Sequence, residues 1–238
     1  MQNIFKLIKL EWKKNNIGKY TINALILAAV LCLFIFALAY LGIANDPDTG
    51  IPDAAPGNNT ISSPIELFTG MSFLVFTSAM LASFIVGAYK DKTMNLMFSY
   101  PIKRQKILVS QMIAVWSFNF TALVLTKLLL YTTVLLGAEF MDSAFPIDYD
   151  MTALGFYGQL IAKSAVTVTM GFIALFIGLA MKSSKAAVIS SFLLILLTQA
   201  NVGDFTLAGN AVLPAALTGI SLLCAFLSVW QAETKDLM

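Results

Sequence analysis

The sequence predicts an all-α integral membrane protein with six transmembrane helices, and three observations carry that prediction. The first is composition: of 238 residues, 58% are hydrophobic and only 12% charged, with a mean hydropathy of +0.81. Soluble domains average about 25% charged residues, because charge covers a water-facing surface. A chain this poor in charge needs lipid as the solvent for its outside. The second is a set of apolar runs near 20–43, 66–89, 108–137, 154–181, 186–201 and 214–231. About 18 residues or more cross roughly 30 Å of hydrocarbon; the fifth run is short for this and the third overlong. The third is the lack of any barrel-like alternation. A lipid-exposed backbone must close its own hydrogen bonds, so the runs are read as helices. No internal repeat is visible, and residues 1–238 are read as a single transmembrane domain.

The elements follow in order. Over residues 1–18, helical spacing puts Met1, Ile4, Phe5, Ile8 and Trp12 on one face and Lys6, Lys9 and Lys13 opposite. That pattern predicts an amphipathic helix in the membrane interface, anchored by Phe5, Ile8 and Trp12 with its lysines toward anionic head groups. The first span is read as retained, since its apolar run exceeds the roughly 7–15 residues of a signal peptide. Residues 44–65 carry Pro47, Pro52, Pro56, Pro64, Gly50 and Gly57 and read as an outer coil. In the second span Ala79, Ser83 and Gly87 recur every four residues, a spacing that lets helices approach closely. Residues 201–213, "NVGDFTLAGNAVL", are too apolar for a free loop and too short for a span. A re-entrant or interfacial outer element before the last span fits them, since irregular backbone at that depth must pack on protein or line a cavity. Cys32 and Cys224 fall in separate apolar spans, where packing is their ordinary role.

Charge sets the orientation. Lys6, Lys9, Lys13, Lys14 and Lys19 precede the first span; Lys90, Lys92, Lys103, Arg104 and Lys106 follow the second; Lys182 and Lys185 follow the fourth; Lys235 is in the tail. The alternate loops hold Asp46, Asp48, Asp53, Glu139, Asp142, Asp148, Asp150 and Asp204 and no Lys or Arg. The positive-inside rule then places both termini and the basic loops in the cytoplasm.

Several chemistries are excluded. Without a single histidine there is no Ser–His or Cys–His catalysis and no His–metal site. No GxxxxGK[ST] is present, so nucleotide is not bound in the P-loop manner by this chain. The expectation is a non-enzyme, with no metal, no cofactor of its own and no nucleic-acid partner. Within the predicted spans Lys127 and Lys163 are read as the charged groups, both in the outer half, with no carboxylate pair beside them. An ionisable group at that depth is costly and points to function. Two readings stay open: lysine stems snorkelling outward toward Glu139 or Asp142, or a polar lining for a pathway.

The segment "YKDKTMNLMFSYPIKRQK", residues 89–106, sets Met94, Leu96, Met97, Phe98 and Tyr100 among five cations. A short helix over 91–98 is predicted to break near Ser99–Tyr100, because Pro101 disfavours a helical residue before it and suits the first turn of the next helix. Apolar side chains rimmed by charge mark a protein interface.

A span, a short helix with a Thr, a Tyr-Pro, basic residues and another span together resemble the permease subunits of type-2 ABC exporters. The resemblance extends to the interfacial N-terminal helix, the six spans and the outer element before the last one. It implies that residues 90–106 are a coupling helix between spans two and three. Lys92, Thr93, Met94, Leu96, Met97, Phe98, Tyr100, Lys103 and Arg104 would then dock on a separate ATPase. The sequence departs from the family where Lys90-Asp91-Lys92 replaces the frequent Glu and Gly before the Thr. The resemblance further implies two permeases, identical or different, and two ATPase subunits that bind ATP and Mg, in a bacterial cytoplasmic membrane. Its cargo would be an amphipathic peptide or peptide antibiotic, with Lys127 and Lys163 as pathway candidates. The alternatives are a membrane immunity or binding protein that does not pump, and a secondary transporter; the latter is disfavoured at this point by the missing intramembrane carboxylate.

Overall fold

The computed structural model describes residues 4–40, 61–87, 104–141, 149–199, 201–202, 205–206 and 212–234. The described residues are helical almost throughout, running α1 Ile4–Lys14, α2 Ile17–Tyr40, α3 Ser62–Leu81 with a π-helical turn Ala82–Val86, α4 Arg104–Met141, α5 Leu154–Ala180, α6 Ser184–Gln199 and α7 Val212–Thr234. Between α6 and α7, Asn201–Val202 (β1) pairs antiparallel with Phe205–Thr206 (β2). Among the described residues four helices are long and apolar enough to cross a membrane: Ile17–Tyr40, Ser62–Val86, Gln105–Glu139 and Leu154–Ala180. The apolar parts of α6 and α7, Ser184–Thr198 and Pro214–Trp230, are shorter. Large apolar side chains lie exposed along these helices, among them Leu25, Leu33, Leu125, Leu196 and Phe226. Such surfaces belong in lipid, and the chain is a helical membrane protein.

Helix boundaries differ from the sequence reading where loop residues join a helix. Pro64, read as part of a coil, lies in the first turn of α3. A proline is tolerated there because first-turn N–H groups have no intrahelical partner. α4 is 38 residues long, about 57 Å at about 1.5 Å per residue, well over a bilayer core.

The chain forms two compact units, one of Met1–Ile17, Phe73–Phe120 and Ala165–Met238, the other of Gly18–Ser72 and Thr121–Ser164. In the first, Leu74 meets Met170, Ile173, Ala174 and Leu194, flanked by Ile177, Leu217 and Cys224. Glycine permits the closest approaches. A Cβ on Gly178 would stand 2.6 Å from the Ala187 Cβ and 3.2 Å from Val86, and one on Gly171 would stand 2.9 Å from Thr77 Cγ2. α5 ends in a Schellman arrangement, with Ser183 N–H donating to the Gly178 carbonyl (3.1 Å), Lys182 N–H to Leu179 (3.2 Å), and Lys182 at φ 51°. This turn leads directly into α6. Of the small-residue stripe read in the second span, Ala79 and Ser83 are exposed and Gly87 is half-buried.

α1 also belongs to the first unit. Its end is an αL cap, Asn16 at φ 48° with its N–H on the Lys13 carbonyl (3.4 Å). Lys9, Lys13 and Lys14 are exposed. Trp12 is half-buried and donates Nε1–H to the Ala114 carbonyl of α4 at 3.1 Å. Ile8 is half-buried, and Phe5 lies on the helix. Glu11, on the inward side, is 7% exposed and accepts from Asn15 Nδ2 at 3.3 Å.

In the second unit, α2 turns Ala24, Ala28, Leu31, Ile35 and Ala39 inward, a stripe at helical spacing rich in small side chains. Phe34 meets Phe68 of α3 edge-on at 4.8 Å. Hydroxyls in both units return to their own helices: Thr69 to the Ile65 carbonyl (2.6 Å), Ser78 to Leu74 (2.8 Å) and Ser164 to Leu160 (2.7 Å). In a medium without water this is how a Ser or Thr keeps its proton satisfied.

Candidate functional site

The second unit assembles a polar cluster from α3, α4, α5 and the segment before α5. Lys127 and Tyr131 are four residues apart, hence on one face of α4. Both point at Glu66, in the opening turns of α3. Lys127 Nζ donates to Glu66 Oε2 at 2.6 Å, and Tyr131 Oη–H donates to Oε1 at 3.3 Å. The Lys127 side chain is 1% exposed and that of Glu66 22%, so the pair is sunk in protein with the carboxylate edge still accessible. Removing both charges from water costs several kcal/mol per ion, which only close geometry and extra hydrogen bonds repay.

Aromatic rings brace the pair. Tyr149 donates to the Tyr131 carbonyl at 2.9 Å, while its ring meets that of Tyr131 at 4.7 Å. Phe156 of α5 stands edge-on to Tyr131 at 4.9 Å and stacks on Tyr149 at 5.9 Å. Asp150 closes the turn into α5: its Oδ1 accepts from Thr152 N–H (2.9 Å) and Oγ1–H (2.6 Å). Those two bonds from Thr152 hold the Asp150 carboxyl below its ordinary value, although it lies in solvent.

These residues surround a cavity of about 300 Å³ lined by Ser62, Glu66, Tyr131, Tyr149, Asp150, Ala153, Phe156, Gln159, Leu160 and Lys163. The opening turns of α3, the first three turns of α5, Tyr131 of α4 and the Tyr149–Asp150 turn form its walls. Lys163 is exposed to this space, and its charge lies near enough to act on Lys127.

The sequence reading of this region therefore needs a correction. Lys127 does not snorkel toward Glu139 or Asp142: it is buried on Glu66, a carboxylate within α3 that the reading of the spans as free of carboxylate partners passed over. Glu139 is exposed, and Asp142 lies outside the described residues. Tyr131 and Tyr149 were not singled out either. A usable signal existed: Glu66 is the lone acid in a long apolar run, and Lys127 the lone base in another. Two isolated opposite charges in neighbouring spans are each other's cheapest partner.

Of the coupling residues, Lys92, Thr93, Met94, Leu96, Met97, Phe98, Tyr100 and Lys103 lie outside the described residues, and Arg104 opens α4. Among the described residues there is no group of His, Cys, Asp and Glu able to hold a metal ion.

No family model matches the chain. No solved structure matches it either. It is 23% identical to "Uncharacterized protein YcbO" of Bacillus subtilis (strain 168), over 97% of this chain and 99% of that protein, so the two are similar from end to end.

Proposed function

We propose that this chain is the permease subunit of an ATP-driven type-2 ABC exporter, with six crossings and both termini cytoplasmic, in a bacterial cytoplasmic membrane. The observation that carries the reading is the segment 90–106, an apolar cluster among cations set between two spans. The described helices bracket it, with a π-helical turn ending at Val86 and α4 beginning at Arg104. α1 supports the same reading as an amphipathic element with exposed lysines ahead of the first span. α6 and α7 serve as the fifth and sixth crossings. The 16 residues of α6 make about 24 Å, several ångströms short of the core. Bilayer thinning and snorkelling of Lys182 and Lys185 accommodate a deficit of that size at modest cost. The hairpin β1–β2 is then the outer element before the last span. Two permeases and two ATPases assemble into the working transporter, which moves amphipathic peptides, with Lys127 and Lys163 near the pathway's outer end.

The test is co-expression and co-purification of the tagged permease with a candidate partner ATPase from the same genome. The double variant Met97→Asp/Phe98→Asp should release the ATPase while the permease still expresses and folds. Each buried anchor in an interface accounts for about 2 kcal/mol, roughly thirtyfold in affinity. An equal yield of bound ATPase would remove the coupling assignment and with it the main support for the proposal.

One observation favours a second reading. A secondary transporter requires a carboxylate at membrane depth for proton or sodium coupling, and Glu66 beside Lys127 supplies one. Transport that follows an imposed ion gradient without ATP would select it.

A further inference from the structure

We propose that the cavity of the second unit binds a zwitterionic head group bearing a primary ammonium and an anion, of the phosphoethanolamine type. This assignment is independent of ATP-driven export. Opposite charges face the same small space: Asp150 from the turn before α5, and Lys163 from α5 itself, two turns further on. Asp150 is fixed by its two bonds from Thr152, so its carboxylate is oriented in advance. Two further lining groups, Tyr131 and Glu66, are held in place by the chain Tyr149 to Tyr131 to Glu66 to Lys127. Preorganisation of this kind reduces the ordering cost of binding.

Each part of the ligand has a complement. A primary ammonium donates N–H to Asp150 and to the accessible edge of Glu66, and lies beside the rings of Tyr149 and Phe156, whose faces attract cations. A trimethylated ammonium has no N–H to give, which favours the primary amine. The anion is met by Lys163, with the Gln159 amide and the Ser62 hydroxyl at the same cavity. A volume of about 300 Å³ is the lower end of ligand pockets, roughly 300–1,000 Å³, and fits a head group rather than a whole peptide. Ser62 and Glu66 belong to the opening turns of α3, and Phe156, Gln159 and Lys163 to those of α5. Both sets lie toward one end of a span-length helix, within reach of a lipid head group. The same chemistry could also reach the site as a free zwitterion.

Native mass spectrometry of the full chain in detergent tests this, with phosphatidylethanolamine, phosphatidylcholine and phosphatidylglycerol of identical acyl chains added in turn. Phosphatidylethanolamine should be retained about tenfold better than the other two, the worth of one charge-assisted hydrogen bond. Lys163→Gln, which loses the phosphate contact common to all three lipids, should weaken all of them, and Asp150→Asn should abolish the preference while leaving the other two lipids unchanged. Asp150→Glu and Lys163→Arg, which keep the charges, should retain most of it, separating recognition from any loss of fold. Soluble phosphoethanolamine is then titrated as competitor. Displacement of the lipid, or binding of the soluble compound alone, upholds the zwitterion site and assigns it a free ligand; lipid retention without displacement assigns the lipid. Equal retention of all three lipids with no binding of the soluble compound, or full preference in Asp150→Asn with unchanged retention in Lys163→Gln, would overturn the proposal.

Discussion

The two units of this chain solve the same problem, a stable interior without water, in opposite ways. The first relies on proximity. Gly171 and Gly178, two helical turns apart on α5, let neighbouring side chains reach distances that any Cβ would obstruct, and its core is Leu, Met, Ile and Ala. Polar side chains tie its helices together, as with Trp116 Nε1–H of α4 on Thr169 Oγ1 of α5 at 3.1 Å. Even so, Thr77 Oγ1, both amide atoms of Gln111 and Asn119 Oδ1 are buried with no hydrogen-bond partner among the described residues. The second unit buries a full ion pair and surrounds it with Tyr, Phe and Asp around an open space. Stability alone does not call for that: a buried pair is often replaceable by apolar residues at no loss, whereas half a pair is strongly destabilising. The first unit is built by close packing, and the second carries the charged groups on which the proposed ligand site rests.

Breaking one partner of the ion pair gives the largest expected effect. Lys127→Met leaves Glu66 charged and unpaired, and should cost about 3–5 kcal/mol in unfolding of the purified protein. Next comes the glycine contact. Gly178→Leu forces Ala187 and Val86 apart and should cost about 1–3 kcal/mol as overpacking, seen as a lower melting temperature. Gly171→Ala should cost less, because its nearest neighbour is the end of a Thr side chain.

Smaller changes sharpen the picture of the second unit. Tyr149→Phe keeps the ring contacts with Tyr131 and Phe156 but loses the hydrogen bond to the Tyr131 carbonyl, a loss of about 1 kcal/mol. At Asp150 the carboxyl titrates below its ordinary value because Thr152 bonds to the charged form. With the folded value depressed, its contribution to the turn is present above the unfolded value and is lost as pH falls through the folded one. Thr152→Val should therefore move the Asp150 titration upward, read from its carboxyl carbon by NMR.

Much of the fold was legible in the sequence because lipid imposes a coarse code. Runs of apolar residues, their lengths and the sides on which lysines gather gave helices α2 to α5 to within a few residues. The short α6 and the interrupted stretch around Asn201 carry weaker signals, since a run of 16 residues fits either a short span or a buried helix. The site was half legible. Lys127 and Lys163 stand out as isolated charges, but their partners depend on which helix faces which, and spacing within one span says nothing of that. Glu66 was hidden by position: at a span's edge an acid reads as a loop residue. Tyr131 and Tyr149 were hidden by type, because aromatics near span ends are common as interfacial anchors.

The contrast between the close-packed unit and the charged one is tested most directly by neutralising the ion pair on both sides, with Glu66→Gln/Lys127→Met. The double variant should unfold within about 1 kcal/mol of the wild type, since no unpaired charge remains. ATP-dependent uptake of a fluorescent amphipathic peptide into inside-out vesicles should nevertheless fall at least tenfold, about 1.4 kcal/mol. Wild-type uptake by the double variant, or a loss of uptake matched by an equal loss of stability, would contradict the account.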